Sequence, residues 1–160
     1  MGRTVERLDP AVRDKLVNRL IKLEQNVEGI TASILIEASG YPIAAALRSD
    51  VGQDKLSAAS AALFSIAERI SRDLKMGNVE INIVQSEGGY VVVMEVRPEA
   101  RLVVQASKDS KIGVVLLETK KAAQDLEKIL LEVRSKEGNV EKSAYVPPSS
   151  LDEPSPSFPY

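Results

Sequence analysis

Val79-Glu80-Ile81-Asn82-Ile83-Val84-Gln85-Ser86-Glu87-Gly88-Gly89-Tyr90-Val91-Val92-Val93-Met94 is the stretch on which the fold turns. Its first half, Val79 to Ser86, alternates: Val79, Ile81 and Ile83 stand against Glu80, Asn82 and Gln85, as in a half-buried or edge strand. Gly88-Gly89 predicts a tight hairpin turn. Tyr90 to Met94 is apolar on both faces, as a central strand covered above and below must be. Pro98-Glu99-Ala100 turns the chain again, and Leu102-Val103-Val104-Gln105-Ala106 supplies the next strand. Strands that follow one another through hairpins are antiparallel, which argues against a doubly wound sheet.

Upstream, Asp54 to Met76 reads as a helix ended by Gly77. Leu56, Ala59, Leu63, Ile66, Ile70 and Leu74 fall on one side at 100° per residue and are expected in the core. From Ser57 to Ala67 there is no charge, and the reverse side carries Ala58, Ala61, Ala62 and Ser65. A helix uncharged all round for three turns is buried on both sides, so this small-residue face is expected to meet another chain. Earlier still, Thr31 to Glu37 and Pro42 to Leu47 form a hairpin around Ala38-Ser39-Gly40. Asp9 caps and Pro10 opens a first helix carrying Val12, Leu16, Leu20, Leu23 and Val27 down to Gly29.

Downstream, Ser110 or Asp109 is expected to cap a last helix whose buried stripe runs from Ile112 through Val115, Leu126 and Ile129 to Val133. Glu118 with Lys121, and Asp125 with Lys128, decorate its wet side, and Gly138 marks its end. Past Asn139 prolines are interleaved with serines and acidic residues, a composition that cannot build a core. The expected organisation is a flexible N-terminus at 1–8, one domain at 9–138 and a disordered tail at 139–160. The element order is α-β-β-α-β-β-β-α.

Composition removes whole classes of chemistry. The 160 residues contain no cysteine and no histidine. Thiolate metal sites, disulfides and every nucleophile activated by histidine are therefore absent. The 21 basic and 23 acidic residues are intermingled, giving a formal charge of -2 and no basic stripe for nucleic acid. None of the nine glycines precedes a lysine, so there is no P-loop. No apolar run is long enough for a membrane span, and no signal peptide is visible. Met1-Gly2 lacks the Ser or Thr that myristoylation wants where Glu6 stands. No catalytic residue, metal or cofactor is expected, and the protein is expected to be cytoplasmic. Arg69 and Arg72 suggest an anion site at the end of the second helix, although basic residues there also complement the helix dipole.

The chain resembles the roadblock/dynein light chain family. The likeness begins at Val27-Glu28-Gly29-Ile30 and runs through Ser33 to Glu37 and Gly40-Tyr41-Pro42-Ile43-Ala44. It continues in Leu56-Ser57-Ala58-Ala59-Ser60-Ala61-Ala62-Leu63 with Ala67-Glu68-Arg69, and in Gly89 to Val93, Leu102 to Val104 and Ile112 to Leu117. The resemblance implies an α+β fold: a five-stranded antiparallel sheet with the second helix on one face and the first and third on the other. It also implies a homodimer joined side by side through the second helix and third strand, here Ala58, Ala61, Ala62, Ser65, Val79, Ile81 and Ile83.

Family members serve Ras-like small GTPases as platforms or regulators, or act as structural adaptors in motor complexes. The resemblance puts the GTPase contact on the second-helix side of the dimer, where two symmetric copies present one composite surface, here around Arg48, Asp50, Gln53, Asp54, Arg69 and Arg72. A small-ligand sensor is the third alternative, but a core dominated by Ala, Val, Ile and Leu offers few polar anchors for one.

Overall fold

Three hairpins build the sheet in the computed structural model, which describes residues 8–48 and 52–144. Strand β1 (Ile30–Glu37) doubles back into β2 (Pro42–Leu47), setting Ile34 opposite Ala45 and Leu35 opposite Ala44. Strand β3 (Ile81–Ser86) returns as β4 (Gly89–Val96), and β4 returns as β5 (Ala100–Ser107). β5 closes onto β1, with Ile34 opposite Val103, giving the order β2-β1-β5-β4-β3, antiparallel throughout.

The β3–β4 turn consists of Glu87 and Gly88, one residue earlier than Gly88-Gly89. Gly89 opens β4 at φ +151°, and a side chain there would collide with the carbonyl oxygen of Ala106 on β5. The second glycine is thus required by the neighbouring strand, not by the turn.

Helix α1 (Pro10–Asn26) begins as its sequence predicts, with Asp9 Oδ1 accepting from the amide of Ala11 at 3.0 Å. Its buried Leu16, Leu20 and Leu23 pack with α3 (Ile112–Ala144) on one face of the sheet. Val115, Ala122, Ala123 and Leu126 are the α3 side of that core, over Leu35, Val92, Leu102 and Val104. Helix α2 (Gln53–Asp73) covers the other face, where Phe64 and Ala61 meet Ile34, Ile36, Val93 and Val103. One helix against two, around a five-stranded antiparallel sheet, is the α+β arrangement that the resemblance implies.

Four local expectations change. α3 takes its first amide bonds on the carbonyl of Lys111, while the Ser110 hydroxyl lies 3.2 Å from that of Ser107, so neither Ser110 nor Asp109 caps it. Asp125 pairs with Arg19 of α1 at 2.7 Å rather than with Lys128, because a partner on the packed helix is held in place. α3 also passes Gly138 and continues to Ala144. One interior glycine costs a helix about 1 kcal/mol, too little by itself to end it. The expected tail boundary at 138/139 therefore falls inside a helix; residues 1–7 and 145–160 lie outside the described residues. Finally, α2 begins at Gln53 and ends at Asp73, and β3 begins at Ile81 rather than Val79.

Candidate interaction surface on the second helix and the edge strand

Helix α2 has two apolar faces, as its charge-free stretch predicts, but it is rotated about its axis, so that Ala61 turns to the sheet while Ala59, Ile66 and Ile70 turn to water. Ser57, Ser60, Ala61 and Phe64 are buried against the sheet, with Leu56 and Leu63 half-buried beside them. Ile66, Ile70 and Leu74, expected in the core, stand 58%, 54% and 64% exposed. Gly40 explains the rotation. It sits at φ +97° in the β1–β2 turn, and a Cβ on it would lie 3.2 Å from that of Ala61 and 3.6 Å from the Cα of Ala58. Only small residues allow a helix so near the turn, so side-chain size selects the face that turns inward.

Farther along α2, Arg101 of β5 lies over the Phe64 ring, 4.2 Å from its centroid. The Arg101 Nη2 donates to Glu68 Oε1 at 3.0 Å, and Nη1 to the Ala100 carbonyl. This buried cation fastens α2 to the sheet, and no periodicity in the sequence marks it. Gly113, by contrast, is exposed, and a Cβ there would meet nothing within 4 Å.

Among the residues expected between copies, Ala58, Ala62 and Ser65 are exposed on α2, and the Ser65 hydroxyl donates to the Ala61 carbonyl at 3.0 Å. Ala61 is only 8% exposed and belongs to the sheet-facing side. Val79 packs half-buried on the α2 side, whereas Ile81 packs on the opposite side with the α1 and α3 core. Ile83 shares the side of Ile81 and is 47% exposed. The β3 register puts Asn82 and Val84 opposite Val93 and Val91 on the α2 side. Val84, 39% exposed, is therefore the strand residue that adjoins the α2 stripe of Ala59, Ala62, Ile66 and Ile70.

Two features make this surface an interface candidate. The stripe is apolar and open to water, and β3 is an edge strand whose sequence, Ile-Asn-Ile-Val-Gln-Ser, carries neither charge nor proline. Edge strands that must stay alone are usually guarded by such residues.

The expected GTPase-contact residues do not assemble within one chain. Gln53 is half-buried and Asp54 exposed at the start of α2, while Arg69 and Arg72 are exposed near its end, ~22–28 Å away at 1.5 Å per residue. Arg69 Nε is 3.9 Å from Asp73, and Arg72 lines an open cleft of about 500 Å³ with Lys75, Glu68 and Glu95. Of these carboxylates Glu68 is held by Arg101 and Glu95 lies 3.9 Å from Arg97 Nε. Asp50 lies outside the described residues.

Arg48 is on the wrong side of the sheet for a contact made through α2. Its Nε is 3.3 Å from Oε2 of Glu24 on α1, and Glu24 is 5% exposed. Burial raises the Glu24 pKa above the ordinary glutamate value, opposed by the charge of Arg48 and the Ser33 hydroxyl, which donates to Oε1 at 3.4 Å. A carboxylate inside needs its cation, and that need draws Arg48 away from α2. Among the described residues no group of three or more acidic side chains is placed to hold a metal ion, and no helix is long and apolar enough to cross a membrane.

Comparison with known proteins agrees with this geometry. An uncharacterised protein of Methanocaldococcus jannaschii, MJ1340, is 26% identical over 111 residues, covering 69% of this chain and 96% of the relative. A solved structure of MglB with a tetrameric arrangement superimposes with a TM-score of 0.73 at 22% identity, over 78% of this chain and 94% of that one. The gliding protein MglB of Thermus thermophilus superimposes equally well, with a TM-score of 0.73 at 21% identity, over 78% and 95% of the two chains. At such identities the structures share the fold. The Roadblock/LC7 domain model matches residues 16–106, from the buried stripe of α1 through the end of the sheet, and the chain belongs to the Roadblock/LC7 domain family.

Proposed function

We propose that this chain is a homodimer joined through α2 and β3, and that the pair is a non-enzymatic platform or regulator for a Ras-like small GTPase. The supporting observation is the open stripe with Ile66 and Ile70 beside an unguarded edge strand. A lone soluble domain avoids such a patch, whereas a second copy would cover it. Membership of the family supports this partner class.

In a two-fold pair the same patch meets itself, and two in-plane helices related by that axis run antiparallel. The start of one α2 then lies beside the end of its partner's. Gln53 and Asp54 of one copy would join Arg69 and Arg72 of the other in a composite surface, although they are far apart in a single chain. The proposed contact consists of these four with Asp50; Arg48 is left out because Glu24 holds it on the other side. With neither histidine nor cysteine, the chain would act on GTP hydrolysis only by positioning groups on a partner that brings its own P-loop and magnesium.

Mixing the protein with the Ras-like GTPases of its source organism, each loaded with GDP or a GTP analogue, tests the reading. Binding in at least one nucleotide state is expected, weakened about tenfold by Arg69→Ala with Arg72→Ala. If no GTPase binds in either state, a structural adaptor replaces the platform.

A further inference from the structure

The side of the sheet away from α2 is covered unevenly. α1 lies over β2 and β1, α3 lies over β4 and β5, and β3 projects past them. A groove of about 500 Å³ runs between α3 and the β3–β4 hairpin, lined by Ile81, Met94, Leu116 and Leu117. Leu117 is 54% exposed, and Ile83, next along β3 on the same face, is 47% exposed. Glu80 and Glu127 stand on the groove's rim with Lys120. None of these three has an ion pair among the described residues, so the unpaired charge around each groove is acidic.

We propose that in the homodimer the two grooves join into one seat for a single amphipathic helix of a partner protein. Its apolar stripe rests on Ile81, Ile83 and Leu117 of both copies, and lysine or arginine flanks that stripe. The inference rests on the β3-to-β3 pairing proposed above, and the seat lies on the opposite side of the joined sheet from α2.

Strand spacing decides the occupant. Neighbouring strands are ~4.8 Å apart, so with the two β3 strands side by side the two α3 axes stand about four spacings, ~19 Å, from each other. A helix laid midway is ~9–10 Å from each α3, within the distance at which helices pack. A second helix does not fit, and an extended strand would leave the flanks of α3, with Leu117, uncovered. The stoichiometry is therefore one helix per two chains. Glu80 and Glu127 from both copies ring the seat against two Lys120 side chains, which favours basic flanks over acidic ones.

The test titrates a fluorescent helical peptide, with a leucine stripe flanked by lysines, against the full-length chain, and follows anisotropy together with mass by light scattering. Saturation is expected at one peptide per two chains. Leu117→Glu should weaken binding at least tenfold, as should glutamates in place of the peptide's lysines, while Lys15→Ala, exposed on α1, leaves it unchanged. A dimer that takes up no peptide, binds one peptide per chain, or binds unchanged after Leu117→Glu overturns the seat and leaves the pairing standing. A monomeric mass overturns the pairing and the seat with it.

Discussion

Replacing Ile66 and Ile70 together with serine separates association from folding. Fully burying an isoleucine side chain is worth about 1.5–3 kcal/mol. The two are 58% and 54% exposed in the single chain, so roughly half of that remains to be gained when a second copy covers them. Each lost side chain then costs about 0.8–1.6 kcal/mol, and the four in a dimer about 3–6 kcal/mol. At about 1.4 kcal/mol per tenfold, the dissociation constant of the dimer should weaken roughly 10²- to 10⁴-fold. The fold should persist, because both side chains are more than half exposed and neither belongs to the core under α2. Sedimentation equilibrium measures the first effect and far-ultraviolet circular dichroism the second. An unchanged dissociation constant would refute the assignment of this stripe to the interface, and a loss of helical signal would show that the two side chains belong to the core after all.

The sidedness of α2 also predicts that Ala62→Glu yields a folded monomer while Ala61→Arg fails to fold, since Ala61 faces the sheet at 8% exposure; gel filtration with circular dichroism distinguishes them. Gly40→Ala should cost about 1–2 kcal/mol in urea unfolding, from a left-handed backbone and crowding against Ala61. Glu24 has a pKa raised by burial, so its contribution is fully present below the ordinary glutamate value and is lost as pH rises through the shifted one. Glu24→Gln removes that loss, and its melting temperature relative to wild type should climb across the same interval; a falling difference would mean that the Arg48 pair outweighs burial. Truncation after Gly138 should change the melting temperature little, because among the described side chains of α3 the last fully buried one is Leu126.

What could be read from the chain was whatever carries a local signal. Asp9-Pro10 opens α1 where it should, Pro42 begins β2, and the run from Val79 to Met94 gives two paired strands because alternation and a glycine turn are properties of neighbours in sequence. The inward face of α2 could not be read in the same way. Ranking by hydrophobicity sends Ile66 and Ile70 to the core, yet the approach of that helix is set by Gly40 on a hairpin that precedes it. Two further residues escape a local reading for the same reason: Arg48 answers to the buried Glu24, and Asp125 to Arg19. Arg101 gave no warning at all, since a charged residue in a strand reads as solvent-facing until Phe64 and Glu68 are seen above it. The expected contact set spans the two ends of α2, which a single chain leaves apart and only a second, antiparallel copy would bring together; Arg48 alone leaves it, held by Glu24.

Everything proposed for this protein depends on a second copy of the chain covering the α2 stripe and the β3 edge. Static light scattering of the wild-type protein at micromolar concentration tests that pairing most directly. The expected mass is twice that of the 17.4 kDa chain. A mass of 17.4 kDa, unchanged on concentration, would contradict it.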